Sequence, residues 1–131
     1  MKKYLNLSFA YTIVAFVFGV FYREFTKFQG FQGKTTLSIM HTHYLMLGMF
    51  FFLIMALFEK TLSISGLPGM GKMVLVYNIG LNITGLSFLI RGLTQVLATP
   101  LSTGMDAGIS GLAGLGHIVL AVGLLSILWK I

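Results

Sequence analysis

The sequence contains no cysteine and few charged residues. Of its 131 residues, 9% are charged and 56% are hydrophobic. The absence of cysteine excludes a disulfide framework and a thiolate metal site. Because a soluble domain carries roughly 25% charged residues, the low charge excludes a water-soluble globular protein, and the high hydrophobic content excludes disorder. The composition therefore predicts an integral membrane protein.

Acidic residues are the scarcer of the two charged classes. Three Asp and Glu stand against nine Lys and Arg, which gives a formal net charge of +6. In a soluble chain this excess could indicate nucleic-acid binding. Here the basic residues lie between apolar runs, where they anchor helices to anionic lipid headgroups. We therefore expect the lipid bilayer, and no nucleic acid, as a partner.

Four apolar runs are long enough to cross a membrane, since one span needs about 20 residues. They predict an all-α protein, a four-helix bundle that forms a single transmembrane domain over residues 1–131. An excess of Lys and Arg at the face that holds both termini predicts that the termini are cytoplasmic. The predicted spans cover residues 4–22, 35–58, 73–97 and 108–129.

All three histidines of the chain lie within predicted spans. His41 and His43 fall in the second span and His117 in the fourth. Ionisable residues inside a membrane are costly, and they usually face the bundle interior, a cavity or a bound group. Packing or proton relay by each histidine stays an alternative, but three together favour binding of a cofactor. Imidazole binds haem iron, copper and zinc.

The spacing of His41 and His43 favours haem over a small ion. At about 100° per residue, the two side chains diverge by about 200° around the helix. They cannot both bind one ion, so a copper site is the less favoured alternative. A b-type haem is apolar and its iron has two axial positions, which histidines on different helices can fill. We therefore predict that His41, His43 and His117 bind haem iron.

Arg91 is a basic residue set well inside the third apolar run. It can extend to the headgroups, or it can pair with an anionic group. Because haem carries two propionates, we predict that Arg91 binds one of them. Gly48, on the same helix face as His41, is expected to let the flat macrocycle approach closely.

Two further groups of residues are expected to hold the helices together. Asn78 and Asn82 are four residues apart and share one helix face, so they are predicted to bridge helices. Gly111 and Gly114 are predicted to pack the fourth helix against a neighbour through their small size.

The residues around the histidines resemble two known groups of proteins. The whole chain is similar to a small family of four-span bacterial membrane proteins of unknown function with Met-His-Thr-His-Tyr in the second span, here residues 40–44. This resemblance implies a bacterial inner-membrane protein but no activity. Residues 41–48 are also similar to the His-x-His helix in the catalytic subunit of haem-copper oxidases and nitric oxide reductases.

The second resemblance implies an assembly. In those enzymes the two histidines of the motif face different haems, twelve spans form three units of four, and arginines near the end of a unit's third helix contact propionates. This chain would correspond to one unit. Because His41 and His43 leave opposite sides of the second helix, a haem held by one of them needs its other axial ligand from His117 of the same chain or from a neighbouring subunit. We expect a homo-oligomer in which His41 of one chain and His43 of the next share a haem, and the threefold arrangement of the similar enzymes favours a trimer over a dimer.

Together these observations predict a membrane-embedded b-type haem-binding protein that acts in electron transfer or as a minimal relative of haem-copper oxidases. A haem-dependent oxidoreductase activity is left open. The alternative function is a cofactor-free helical subunit, either a small transporter or an assembly partner, in which the histidines pack or relay protons.

Overall fold

The computed structural model describes residues 1–131, and all of its regular structure is helical. Four helices are long and apolar enough to cross a membrane. A single 3₁₀ turn, Ile64–Gly66, lies between the second and third of them. The predicted all-helical, four-span fold is therefore confirmed. The helices are α1 (Lys2–Phe28), α2 (Leu37–Leu62), α3 (Met70–Val96) and α4 (Thr103–Lys130).

Most of the helices extend beyond the apolar runs that predicted them. Helix α1 continues through Arg23 and Lys27, which lie beyond the predicted span of residues 4–22. Polar residues can extend a helix outside the apolar region. Helix α4 begins at Thr103, where the Ser102 side chain accepts a hydrogen bond from the backbone N–H of Met105 at 3.2 Å. Such a cap satisfies a free N–H group at a helix start. Asp106 therefore lies in the first turn of α4 and not in a loop.

The helices run antiparallel to their neighbours in the chain. Helix α2 packs against both α1 and α3, whereas α4 packs almost entirely against α3. The Met1 amino group lies 3.8 Å from the Glu59 carboxylate, and Trp129 of α4 lines a hollow together with Met73 of α3. Both termini therefore lie at the same end of the bundle. The side of the membrane that this end faces stays a prediction.

Glycines bring α3 and α4 into close contact. A Cβ atom at Gly116 would lie 2.7 Å from the backbone nitrogen of Thr84, and one at Gly123 would lie 2.6 Å from Tyr77. Small residues let membrane helices approach closely in this way. Gly111 and Gly114 are different, because both are exposed and nothing lies within 4 Å of an added Cβ. The expectation that these two glycines pack against another helix is wrong within this chain, since they lie on the outer surface of α4.

Helix α2 contains a π-helical segment, Tyr44–Phe50, directly after His43. Two hydroxyl groups from neighbouring helices donate to its carbonyls: Ser8 to Met49 at 2.8 Å and Tyr77 to Leu47 at 2.7 Å. Short π-helical segments occur often at functional sites. Because these bonds come from α1 and α3, tertiary contacts hold the wider turn in place.

Gly48 lies within this π-helical segment and packs against α1. A Cβ atom at Gly48 would lie 2.6 Å from the Tyr11 side chain. The glycine is therefore needed for contact between α1 and α2. The expectation that Gly48 leaves room for a macrocycle is wrong, because the Tyr11 ring already occupies that space.

The predicted bridging role of the two asparagines is confirmed. The Tyr11 hydroxyl of α1 donates to Asn78 Oδ1 at 2.6 Å and accepts from Asn82 Nδ2 at 2.8 Å. These bonds join α1 to α3.

Candidate functional site

The chain brings histidines from α2 and α4 to one side of the bundle. The His43 ring centroid lies 4.7 Å from that of Phe88 on α3, and the His117 ring centroid lies 6.0 Å from the same ring. His43 is half-buried and His117 is exposed. We call this side, between α2 and α4 with α3 at its base, the α2–α4 face. It is formed by Thr36, His43, Ser87, Phe88, Arg91, Ser110 and His117.

Each of these two histidines is oriented by a backbone carbonyl of its own helix. Nδ1 of His43 lies 3.1 Å from the Ile39 oxygen, and Nδ1 of His117 lies 2.7 Å from the Ala113 oxygen. A carbonyl oxygen can only accept, so Nδ1 carries the proton, and in the neutral ring Nε2 keeps its lone pair. Histidines that bind metals are oriented by the same kind of bond. This bond therefore leaves Nε2 as the acceptor atom of each ring.

His41 lies on the other side of α2. Its ring packs against α1, where a Cβ atom added to Gly19 would lie 3.7 Å from the imidazole Cγ. Its Nδ1 atom is buried and has no hydrogen-bond partner. His41 and His43 therefore contact different helices, as their two-residue spacing requires, and His41 lacks the backbone bond that orients the other two histidines.

The three histidines do not converge on one ion. The structure contains no group of three or more His, Asp or Glu side chains that could hold a metal ion. The histidines divide instead into His43 and His117 on the α2–α4 face and His41 against α1.

Arg91 pairs with a carboxylate from α4. Its Nη1 donates to the Asp106 carboxylate, while its Nη2 donates to the Asp106 backbone oxygen at 3.2 Å and to Ser110 Oγ at 2.9 Å. Arginine has five N–H donors, so two of them stay free. The side chain does not simply extend to the headgroups, and its binding to a propionate stays a prediction.

Asp106 is the residue of this site that sequence reasoning missed. A signal for it was present, because Ser102 is a favoured helix-capping residue and an acid in the following turn is typical of a helix start. Its alignment with Arg91 depends on the packing of α3 against α4, which the sequence does not specify.

Two shallow hollows lie on the α2–α4 face. One, of about 250 Å³, extends from the start of α2 to α4 and includes Phe88, Arg91 and Ser110. The other, of about 290 Å³, lies along α2 beside His43 and Met46. The face therefore offers apolar surface next to an imidazole and a guanidinium group.

All 131 residues match the family described as Protein of unknown function (DUF2871). The chain belongs to this family. No curated protein and no solved structure matches it. The predicted relationship to a four-span family of unknown function is therefore confirmed, whereas the resemblance of residues 41–48 to haem-copper oxidases finds no support in these comparisons.

Proposed function

We propose that this DUF2871 protein binds b-type haem on the α2–α4 face and acts in electron transfer. One observation carries the proposal. His43 and His117 come from different helices, each is oriented through an Nδ1 bond to a carbonyl, and both contact Phe88. Haem iron takes axial histidine ligands through such nitrogens, so both residues are suited to this role.

The two histidines have different surroundings. His43 is half-buried and lies edge-on to Phe88, so its position is fixed by packing between α2 and α3. His117 is exposed near the middle of α4. An exposed imidazole in hydrocarbon is costly, and coverage by an apolar ring would remove much of this cost. We therefore assign His43 as the main ligand and His117 as the second.

Arg91 supplies the cation for a propionate. It lies three residues beyond Phe88 on α3, a rise of about 4.5 Å along the helix, and thus on nearly the same face. Its bond to Asp106 fixes the guanidinium group and leaves two N–H donors free. Charge-assisted bonds of this kind are stronger than neutral ones. The cation is therefore held in place before any ligand binds.

Electron transfer is favoured over reduction of a small molecule. Haem, when bound, would supply a one-electron carrier. A single chain has no group of three side chains that could hold a second metal beside it. The only carboxylate at this face, Asp106, is engaged by Arg91. The face thus offers ligands and a cation but no free carboxylic acid for proton delivery.

Absorption spectra of the detergent-purified protein, oxidised and then reduced with dithionite, test this proposal. We expect the narrow bands of a low-spin b-type haem. The His43→Ala variant should lose the haem, His117→Ala should change it to a high-spin form, and the control His41→Ala should retain it. A protein that stays colourless after haem titration would contradict the proposal and favour a cofactor-free subunit, either a transporter or an assembly partner.

We also propose that copies of the chain associate, as a homotrimer, in a bacterial inner membrane with cytoplasmic termini. Helix α4 contacts little besides α3, and its exposed apolar side chains, among them Ile118, Val122 and Leu125, leave a surface for a second copy to cover. Native mass spectrometry measures the copy number, and reporter fusions to each terminus measure the orientation. Loss of haem in His41→Ala but not in His117→Ala would favour haem shared between two copies.

A further inference from the structure

A second groove lies on the other side of the bundle, between α1 and α3. We call it the α1–α3 groove. It contains a cavity of about 350 Å³, with the first half of α2 at its base. Binding pockets for small molecules measure about 300–1,000 Å³, so the cavity can accept one ring. Its lining includes Val14, Phe18, Met40, Tyr44, Asn82 and Leu89.

Asn82 brings an amide group to this cavity at the middle of α3. Both hydrogens of its Nδ2 are used, one by the Tyr11 hydroxyl and one by the Asn78 backbone oxygen, each at 2.8 Å. These two bonds fix the amide, so that Oδ1 is the atom left for a ligand. Asn82 is exposed. An exposed acceptor at this depth has no water to bind, which is costly in hydrocarbon.

Tyr44 also lines this cavity, and its hydroxyl lies against Gly85, another lining residue. The only hydrogen-bond partner of that hydroxyl is Asn82 Oδ1, at 3.5 Å. A good O–H···O bond measures about 2.5–3.0 Å, so the pair is too far apart for one. A ligand hydroxyl does not fit between two oxygens 3.5 Å apart, but one that lies beside both would accept from Tyr44 and donate to Asn82. The geometry therefore suits a group that both donates and accepts.

Aromatic rings border the cavity in a parallel arrangement. The rings of two lining residues, Phe18 and Tyr44, are 5.9 Å apart and inclined by 11°. Outside the lining, the Tyr11 ring lies 5.8 Å from that of Tyr44 at 19°. A flat aromatic ligand can join such a stack. The cavity thus combines a flat apolar wall with one donor and one acceptor.

We propose that the α1–α3 groove binds the head group of a membrane quinol, an isoprenoid hydroquinone. A quinol has a flat ring with hydroxyl groups, and it is apolar enough to enter the bilayer core. Phospholipid headgroups lie at the surface of a core about 30 Å thick, so they do not reach Asn82. This site is independent of haem binding on the α2–α4 face.

A comparison of the reduced ligand, quinol, with the oxidised ligand, quinone, tests the proposed hydrogen bonds. A quinone oxygen can accept from Tyr44 but cannot donate to Asn82 Oδ1, and two facing acceptors repel each other. We therefore expect the quinol to bind more tightly than the quinone by about fivefold to tenfold, the effect of roughly one hydrogen bond.

The experiment compares nanodiscs that contain the protein with empty nanodiscs of the same lipid. Decylubiquinol, kept reduced without oxygen, or decylubiquinone is added, and the excess bound to the protein is measured by chromatography. We expect saturable binding of the quinol. Asn82→Leu and Tyr44→Phe should each weaken it about fivefold to tenfold. The matched control, Tyr4→Phe, removes a hydroxyl near the start of α1 that accepts from Ser65 and does not line the cavity, and it should bind like the native protein.

Three results would overturn the proposal: no excess over empty nanodiscs, equal binding of quinol and quinone, or native affinity in Tyr44→Phe. Tyr44→Phe keeps the stacked ring and removes only the hydroxyl. Its quinol affinity therefore tests the proposal even if Asn82→Leu fails to fold. Oxidative cross-linking of an Asn82→Cys variant into dimers would assign the groove to a second copy of the chain instead.

Discussion

The α2–α4 face and the α1–α3 groove both present polar groups to the membrane interior, but they hold them differently. His43 and His117 bond to carbonyls of their own helices, whereas Asn82 and Tyr11 bond across helices. A side chain oriented by its own helix keeps its free nitrogen for a ligand. A side chain that bonds across helices also stabilises the bundle. Substitution of either histidine should therefore affect ligand binding alone, whereas substitution of Asn82 or Tyr11 should also affect folding.

The largest effect is expected at His43. The His43→Ala variant removes the half-buried ligand and should reduce haem retention more than tenfold with little change in folding. Haem content per chain after gel filtration measures the effect. Its matched control is His41→Ala, two residues away, which changes a side chain that packs on α1. Equal loss of haem in both variants would contradict the assignment of His43 to the α2–α4 face.

A bulky residue at Gly116 should separate α4 from α3. An added side chain would meet Thr84 at 2.7 Å, and overpacking of this kind costs about 1–3 kcal/mol. Gly116→Val should lower the thermal stability in detergent and reduce low-spin haem, because it displaces His117. Gly111→Val is the control, since its side chain would enter open space. Equal stability of the two variants would show that α4 is not held to α3 as described.

Two substitutions distinguish the roles of Arg91 and Asp106 in haem binding. Arg91→Gln removes the cation for the propionate and should weaken haem binding by about 1.5–3 kcal/mol, the typical contribution of a hydrogen bond to a charged group. Asp106→Asn removes the competing carboxylate but keeps Arg91, so haem should bind as tightly as before or more tightly. Titration with haem measures both. Equal weakening in the two variants would mean that Arg91 only joins α3 to α4.

The smallest effect is expected at the Tyr11 hydroxyl. Tyr11→Phe removes a donor to Asn78 and an acceptor for Asn82. It should destabilise the bundle by about 1–2 kcal/mol and leave the haem spectrum unchanged, since Tyr11 lies away from the α2–α4 face. Unfolding in denaturant measures the loss of stability, and the absorption spectrum shows whether haem binding is unchanged. A changed spectrum would indicate that the two faces are coupled.

The sequence predicted those features that depend on local patterns. Apolar runs identify the four spans because each span must be apolar over its whole length. The divergence of His41 and His43 follows from helix geometry alone. The bridging role of Asn78 and Asn82 follows from their shared face. None of these features requires knowledge of which helices are neighbours.

Features that depend on packing between helices were not predictable. The position of His117 near Phe88, the pairing of Arg91 with Asp106 and the contact of Gly48 with Tyr11 all join residues far apart in the sequence. Apolar runs do not specify which face of one helix meets which face of another. The π-helical segment after His43 was also missed, because donors on other helices, Ser8 and Tyr77, help to hold it.

The central claim is that imidazoles on the α2–α4 face bind haem. The most direct test is the reduced-minus-oxidised spectrum of the protein purified from haem-replete cells, recorded beside that of His43→Ala. We predict low-spin b-type bands in the native protein and their loss in the variant. A native protein without these bands after haem titration, or a variant with the native spectrum, would contradict the claim.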